Sequence, residues 1–276
     1  HLNRFMNVDI DAFRVWSTAL SQQKIQQYMN CPPSGNEEDL IGYWNFEEGE
    51  GNTVYDLTSN NNNGIINGAT YSNDVPEQSC QLTAVNGCDS VTVLNLTITQ
   101  PDTSITEVTA CESYEWNGET YTESGTYTQS VSLNNEFSMN FGSVNDYMGF
   151  TYRPIPEPWN EGTISTWVKF NGSNWGSGGD WIFNGYTSNT DYIGLGLHTT
   201  ANFNNQFLRF GFYVDGNWVF ATSNIIPVVG QWYYIVGTWG TNGLNIYVNG
   251  VLSGSNEYSG PSPYSDGFTL GSTNNN

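Results

Sequence analysis

The side chains able to do chemistry in this sequence are carboxylates and aromatic rings, because basic and nucleophilic types are scarce. Asp9-Ile10-Asp11 alternates in a strand-like run, so its two acids face the same side. Glycoside hydrolysis uses such pairs to aim carboxylates into a cleft. Ala12 and Phe13 follow where a third acid would be wanted, and Arg14 stands beside the pair, so a cation ligand pair or a solvated face is the simpler reading. The histidines are His1 and His198, the latter closing the run Tyr192 to Leu197, and a lone histidine at a strand end is more often structural than a base. Gly-x-Ser-x-Gly, phosphate-loop and His-Glu-x-x-His patterns do not occur. The chain reads as a non-enzyme, with a sandwich-fold glycosidase as the third and least favoured reading.

Aromatic rings are plentiful, with 10 Trp, 17 Tyr and 14 Phe. Trp175, Trp181, Trp218 and Tyr258, with Trp159 and Tyr264, lie in or beside Gly-, Asn-, Ser- or Pro-rich stretches, where a ring face can stack on a sugar. Trp167, Trp232 and Trp239 lie inside strands and belong to a core. Charge narrows the partners further. Lys+Arg is 6 against 27 Asp+Glu, a net charge of -21. Such a surface repels phosphate backbones and anionic lipid heads, which excludes nucleic acid and membrane-surface binding and favours divalent cations, calcium first. No apolar run approaches the ~18 residues that span a bilayer, so no membrane insertion is expected.

The supports for these residues read as strands. Apolar residues alternate through Leu40 to Phe46, Thr163 to Phe170, Phe207 to Val214, Gln231 to Trp239 and Leu244 to Val248, with Asn242-Gly243 and Asn249-Gly250 as hairpin turns. One helix is predicted over Gln22 to Met29, capped by Ser21 and stopped before Pro32-Pro33. This pattern predicts an all-β, two-sheet sandwich or jelly roll. Residues 78–130 differ: they are Thr-rich and hold three of the four cysteines. We read them as a small disulfide-stapled β module. Cys31, Cys80, Cys88 and Cys111 lack Cys-x-x-Cys spacing, so two disulfides in an extracellular protein is the expectation, with free thiols as the alternative.

Three runs give a resemblance. Gly162 to Val168, Gly230 to Val236 and Leu244 to Gly250 resemble strands of the laminin-G-like, concanavalin-like jelly rolls of bacterial surface proteins, in that family's order. Ser138 to Tyr147 resembles the family's opening strand. The family's closing strand and helix resemble Asp9-Ile10-Asp11-Ala12-Phe13-Arg14-Val15-Trp16 and Ala19-Leu20-Ser21, with Ala12 in place of the usual Glu. That segment stands at the opposite end of the chain. Gly42 to Gly51 and Val54-Tyr55-Asp56 resemble a segment that often opens such domains. In the small module, Ala110 to Gly118, Ser124 to Tyr127 and Asn86 to Ser90 resemble short repeats of giant secreted adhesins of Bacteroidetes, including gliding adhesins exported by the type IX route.

The resemblance implies a laminin-G-like domain whose main part is 131–276 and which 1–77 completes, with 78–130 as a spacer. It also implies that residue 276 reads on into residue 1. The chain, which opens at His1 without an initiator Met, then reads as one period of a tandem array. The alternative is a permuted domain with adjacent termini. Cys31–Cys80 and Cys88–Cys111 is one pairing that fits, though four cysteines allow three. Laminin-G-like domains commonly hold calcium, and the matching positions are Asn145, Asp146 and Asp11, with Asp56 as a further candidate. The expected function is a structural and adhesive repeat of an extracellular or cell-surface array, filament or appendage. Its partners would be neighbouring copies, cell-surface glycans or other cells. The alternative is a calcium-dependent carbohydrate-binding module.

Overall fold

The computed structural model describes residues 7–78, 114–116, 119–121, 135–143, 146–150, 159–172, 180–186, 192–199, 206–263 and 267–271. In chain order these form β1 (Val8–Trp16), α1 (Gln22–Asn30), β2 (Leu40–Trp44), β3 (Thr53–Val54), β4 (Gly64–Asn67) and β5 (Thr70–Ser72). A separate hairpin follows, β6 (Tyr114–Trp116) and β7 (Glu119–Tyr121). Next come β8 (Ser138–Phe141), β9 (Tyr147–Phe150), β10 (Gly162–Phe170), β11 (Asp180–Tyr186), β12 (Tyr192–Thr199) and β13 (Gln206–Val214). The last are β14 (Asn217–Thr222), β15 (Trp232–Trp239), β16 (Leu244–Val248), β17 (Val251–Asn256) and β18 (Gly267–Gly271).

The strands build two antiparallel sheets. Sheet A runs β17-β16-β15-β10-β1-β8-β5, with β2 also on β1, and sheet B runs β14-β13-β12-β11-β18-β9-β4-β3. Alternation sends Val8, Ile10, Phe13 and Val15 of β1 and Ile164, Val168 and Phe170 of β10 inward, against Phe183, Phe210, Phe212, Phe268 and Leu270 of sheet B. Two hairpin turns are built on Asn-Gly and Asp-Gly dipeptides: Asn249 and Gly250 have φ of 51° and 74°, and Asp215 and Gly216 have 49° and 78°, whereas at Asn242-Gly243 only Gly243 is left-handed, at 85°. The right-handed twist of paired strands favours that left-handed pair of residues. The Asp215-Gly216 turn was equally legible in the sequence. The expected all-β two-sheet jelly roll with one helix is what forms, and α1 begins where predicted, with Ser21 Oγ accepting from Lys24 N at 3.4 Å.

Strand β1 organises sheet A. One of its edges pairs with β10 along its length. The other edge is shared: Val8 to Ile10 pair with β8, and Phe13 to Trp16 pair with β2. The handover coincides with a bulge between Asp11 and Arg14, where Ala12 takes a left-handed φ of 52°. On the outer side of sheet A, α1 lays Ile25 and Tyr28 over Trp16, Leu40, Tyr43, Trp167, Tyr234 and Val236, a second core.

Residues 79–134, apart from β6 and β7, lie outside the described residues, as do most of the 78–130 module and Cys80, Cys88 and Cys111. The segments flanking this region run side by side. Asn73 Nδ2 donates to Glu136 O at 3.3 Å, Asn135 Nδ2 to Pro76 O at 3.2 Å, and Ser138 Oγ to Asp74 O at 2.7 Å. Cys31, which ends α1, is disulfide-bonded.

Phe13 marks the centre of the main core, its ring centroid 5.1, 5.5 and 5.8 Å from Phe183, Trp44 and Phe150. Phe13→Ala is expected to cost about 3–5 kcal/mol. The measurement is urea unfolding, where the midpoint should fall with an unchanged slope.

Candidate functional site

The outer face of sheet B carries a layered aromatic patch. Gly194 on β12 and Gly211 on β13 are register partners, and both point outward, since Ile193, Phe210 and Phe212 point inward. A Cβ on Gly194 would come within 2.3 Å of the Trp181 ring, and one on Gly211 within 2.7 Å of the Phe220 ring. The glycine pair is therefore a flat floor on which two rings lie against the backbone. Trp218 stacks on both, with centroids 5.0 Å from Trp181 and 5.0 Å from Phe220 and interplanar angles of 20° and 8°. Tyr213 meets Trp218 edge-on at 5.3 Å, and the Arg209 guanidinium lies 5.1 Å from the Phe220 centroid. Trp218 is 38% exposed while Trp181 is buried beneath it, so the patch offers solvent one supported indole rather than four loose rings. A rigid, partly exposed ring loses little entropy on stacking against a sugar ring. Burial lowers the Arg209 pKa.

The outer face of sheet A is chemically different. Its outward positions on β1 are Asp9, Asp11, Arg14 and Trp16, all buried. Arg14 Nη1 donates to Tyr28 O and to Tyr234 Oη, each at 3.0 Å, and the guanidinium lies 5.1 Å from the Tyr43 centroid and 5.8 Å from that of Tyr234. Asp11 Oδ2 accepts from Asn135 Nδ2 at 2.9 Å, while Oδ1 accepts no hydrogen bond from the described residues. Beyond Asp11, Lys169 sits between Asp9 and Asp74. Burial pulls the Lys169 pKa down, but hydrogen bonds to Asp74 and Asp9 outweigh it and leave it above the ordinary value. The same bond from Lys169 lowers that of Asp74.

The residues proposed from sequence fall as follows. Trp181 and Trp218 come together in the patch, and Trp175 lies outside the described residues. Tyr258 is elsewhere: its ring meets inward-pointing Phe212 edge-on at 5.9 Å and its hydroxyl donates to Pro261 O at 2.9 Å. Asn145 also lies outside the described residues. Asp146 heads β9, its Oδ2 accepting from Ser143 N at 2.7 Å. The Asp56 carboxylate accepts from Tyr43 N, Thr58 N, Thr58 Oγ1 and Asn62 N at 2.9–3.0 Å, which closes the loop between β3 and β4. Asp11, Asp56 and Asp146 thus stand on the outside of sheet A, in that loop and at the head of a sheet B strand. Among the described residues, no group of three or more His, Cys, Asp or Glu converges to hold a metal ion. His198 lies on β12 opposite Phe207.

Residues 141–276 match the family model described as the Concanavalin A-like lectin/glucanases superfamily. This part of the chain is similar to laminin-G-like domains. No curated protein and no solved structure matches the chain. Strands β9 to β18 lie within the laminin-G-like segment, as do all five residues of the aromatic patch, whereas β1 to β5 precede it and complete both sheets. Laminin-G-like domains are typically binding modules and typically extracellular. No helix among the described residues is long and apolar enough to cross a membrane. Phe220, Tyr213 and Arg209 were missed in the sequence because all three lie on ordinary alternating strands. The available signal was Gly194 and Gly211 interrupting two otherwise apolar runs.

Asp11 gives this region a pH dependence. Burial pushes its pKa up to about 7 from 3.8, with Asn135 and Arg14 pulling part of the way back. A folded-state pKa above the unfolded value means that the folded protein holds this proton more tightly. The associated stability is complete below about pH 4 and is lost as pH rises through about 7. Asp11→Asn is expected to flatten the decline of Tm across that window and to raise Tm at pH 8 by several degrees. A Tm profile unchanged by the substitution would mean that Asp11 does not titrate there.

Proposed function

We propose that this chain is a carbohydrate-binding adhesive module of an extracellular surface protein, and that it holds glycans through Trp218 on the outer face of sheet B. The observation that supports this reading is the stack of Trp218 over Trp181 and Phe220, seated on paired Gly194 and Gly211. A planar apolar surface flanked by the Arg209 donor suits the mixed apolar and hydroxyl faces of a pyranose. The net charge of -21 disfavours nucleic acid as the ligand.

The module's place in a longer array of like repeats is the second element of the proposal. It rests on the resemblance of 78–130 to adhesin repeats and on that of Asp9 to Trp16 to the family's closing strand. The unit is then 131–276 with 1–77, and 78–130 is carried between β5 and β8, which pair with each other.

The test is binding of the whole chain to a panel of neutral and acidic polysaccharides. Trp218→Ala is expected to weaken binding about tenfold or more, roughly 1.4 kcal/mol, beyond the modest fall in Tm that loss of its ring contacts brings. Gly194→Val should weaken binding too, with a larger fall in Tm, since its side chain displaces the buried Trp181 ring. Binding should persist in EDTA, because aromatic stacking carries it. A panel with no binder, or binding untouched by both substitutions, would sink the proposal.

A further inference from the structure

Lys169, Asp9 and Asn140 occupy directly opposed positions on three neighbouring strands. Asp9 on β1 is the register partner of Lys169 on β10 and of Asn140 on β8. All three point to the outer side of sheet A, since Ile10, Val168 and Met139 point inward. Asp9 Oδ2 lies 2.5 Å from Lys169 Nζ, and Asp9 Oδ1 accepts from Asn140 Nδ2 at 2.5 Å. Asp74, in the segment after β5, also contacts Lys169 Nζ, and its Oδ1 accepts from Trp232 Nε1 at 3.0 Å. The Trp232 ring covers the amine, its centroid 5.3 Å from Nζ. The Lys169 and Asp9 side chains are 8% and 3% exposed, and that of Asp74 is 57% exposed.

A primary amine held against a carboxyl group, away from water and beside a second carboxylate, has what amide condensation requires. Proximity supplies the effective concentration, exclusion of water removes the competing nucleophile, and the second acid moves protons. We propose that Lys169 and Asp9 join through an intramolecular isopeptide bond, with Asp74 as the proton relay and the Asn140 amide stabilising the oxygen on which charge develops. The ammonium first passes one proton to Asp9 Oδ2, leaving a neutral amine and a neutral acid. The amine lone pair then forms the Nζ–Cγ bond, and Asp74 takes the second proton from nitrogen. The Cγ–Oδ2 bond breaks as Asp74 returns that proton, and one water leaves. Ammonium plus carboxylate thus become amide plus water, with Asp74 regenerated, no change of oxidation state and no co-reactant.

Asp9 rather than Asp74 is the electrophile because it is buried and because Asn140 already donates to its second oxygen. Asp74 is 57% exposed and lies outside the strand ladder, so its carboxyl is not the one held for attack. The product ties β1 to β10 at the centre of sheet A, so pulling on the chain would meet a covalent bond before the hydrogen-bond ladder.

The experiment is the intact mass of the purified chain, denatured and with disulfides reduced, followed by peptide mapping. The expected result is a mass below the sequence value by one water, about 18 Da, and a linked peptide pair containing Asp9 and Lys169. Lys169→Arg keeps a cation between the two carboxylates but removes the amine, so it should fold and show the full sequence mass. Asp74→Ala should slow formation by about a hundredfold, leaving mostly unlinked chain in fresh preparations. The full sequence mass in the unsubstituted protein would overturn the proposal. So would water loss without the linked pair, or loss of one ammonia, about 17 Da, which would place the bond on Asn140.

Discussion

Every residue of β1 and β10 is buried, on both faces of sheet A. A sheet sealed on one side alone can send its polar side chains to water, but this one cannot. The outer side chains of β1 and β10 must find partners within the protein or lose the free energy of their hydration. Arg14 is accordingly enclosed by Tyr28, Tyr43 and Tyr234, and Lys169 by Asp9, Asp74 and Trp232. Helix α1 and the segments flanking 79–134 are the lids that create this condition, so their positions and the polar chemistry beneath them depend on each other.

The bulge in β1 follows from the same constraint. Two short strands, β8 and β2, share one edge of β1, and the junction falls at Asp11 and Ala12. An extra residue there turns Asp11 toward Asn135 and lets Phe13 reenter the core against Trp44 and Phe183. Ala12 accepts a left-handed φ, a strain of about 1–2 kcal/mol for a residue with a Cβ, which the surrounding pairing over-determines. The carboxylate left at the junction has one unsatisfied oxygen and a pKa near neutrality. A local backbone irregularity is thereby converted into a pH response.

The two outer faces divide the labour of the sandwich. Sheet A is covered by α1, which turns its outer side into a second core. Sheet B keeps its outer side for rings, and the glycine pair lets Trp181 and Phe220 lie flat enough for Trp218 to be supported from below.

Alternation and turn residues were enough, without coordinates, to place the helix, most of the long strands and the Asn249-Gly250 hairpin, because each of these is settled by contacts a few residues apart. They also marked Trp181 and Trp218 as binding candidates. What the sequence could not convey was adjacency across the sheets. Gly194 opposite Gly211, Asp9 between Lys169 and Asn140, and Asn135 over Asp11 are pairings of residues 17 to 160 positions apart, fixed by strand register and by the order in which strands join a sheet. The same limit explains Tyr258 and Asp56, whose residue types suited a sugar platform and a cation ligand. Tertiary packing gave one of them to the core side of the sandwich and the other to the backbone N–H groups of its own loop and of β2. Local chemistry determined which elements form, and only the closing of two sheets on one another decided which side chains meet.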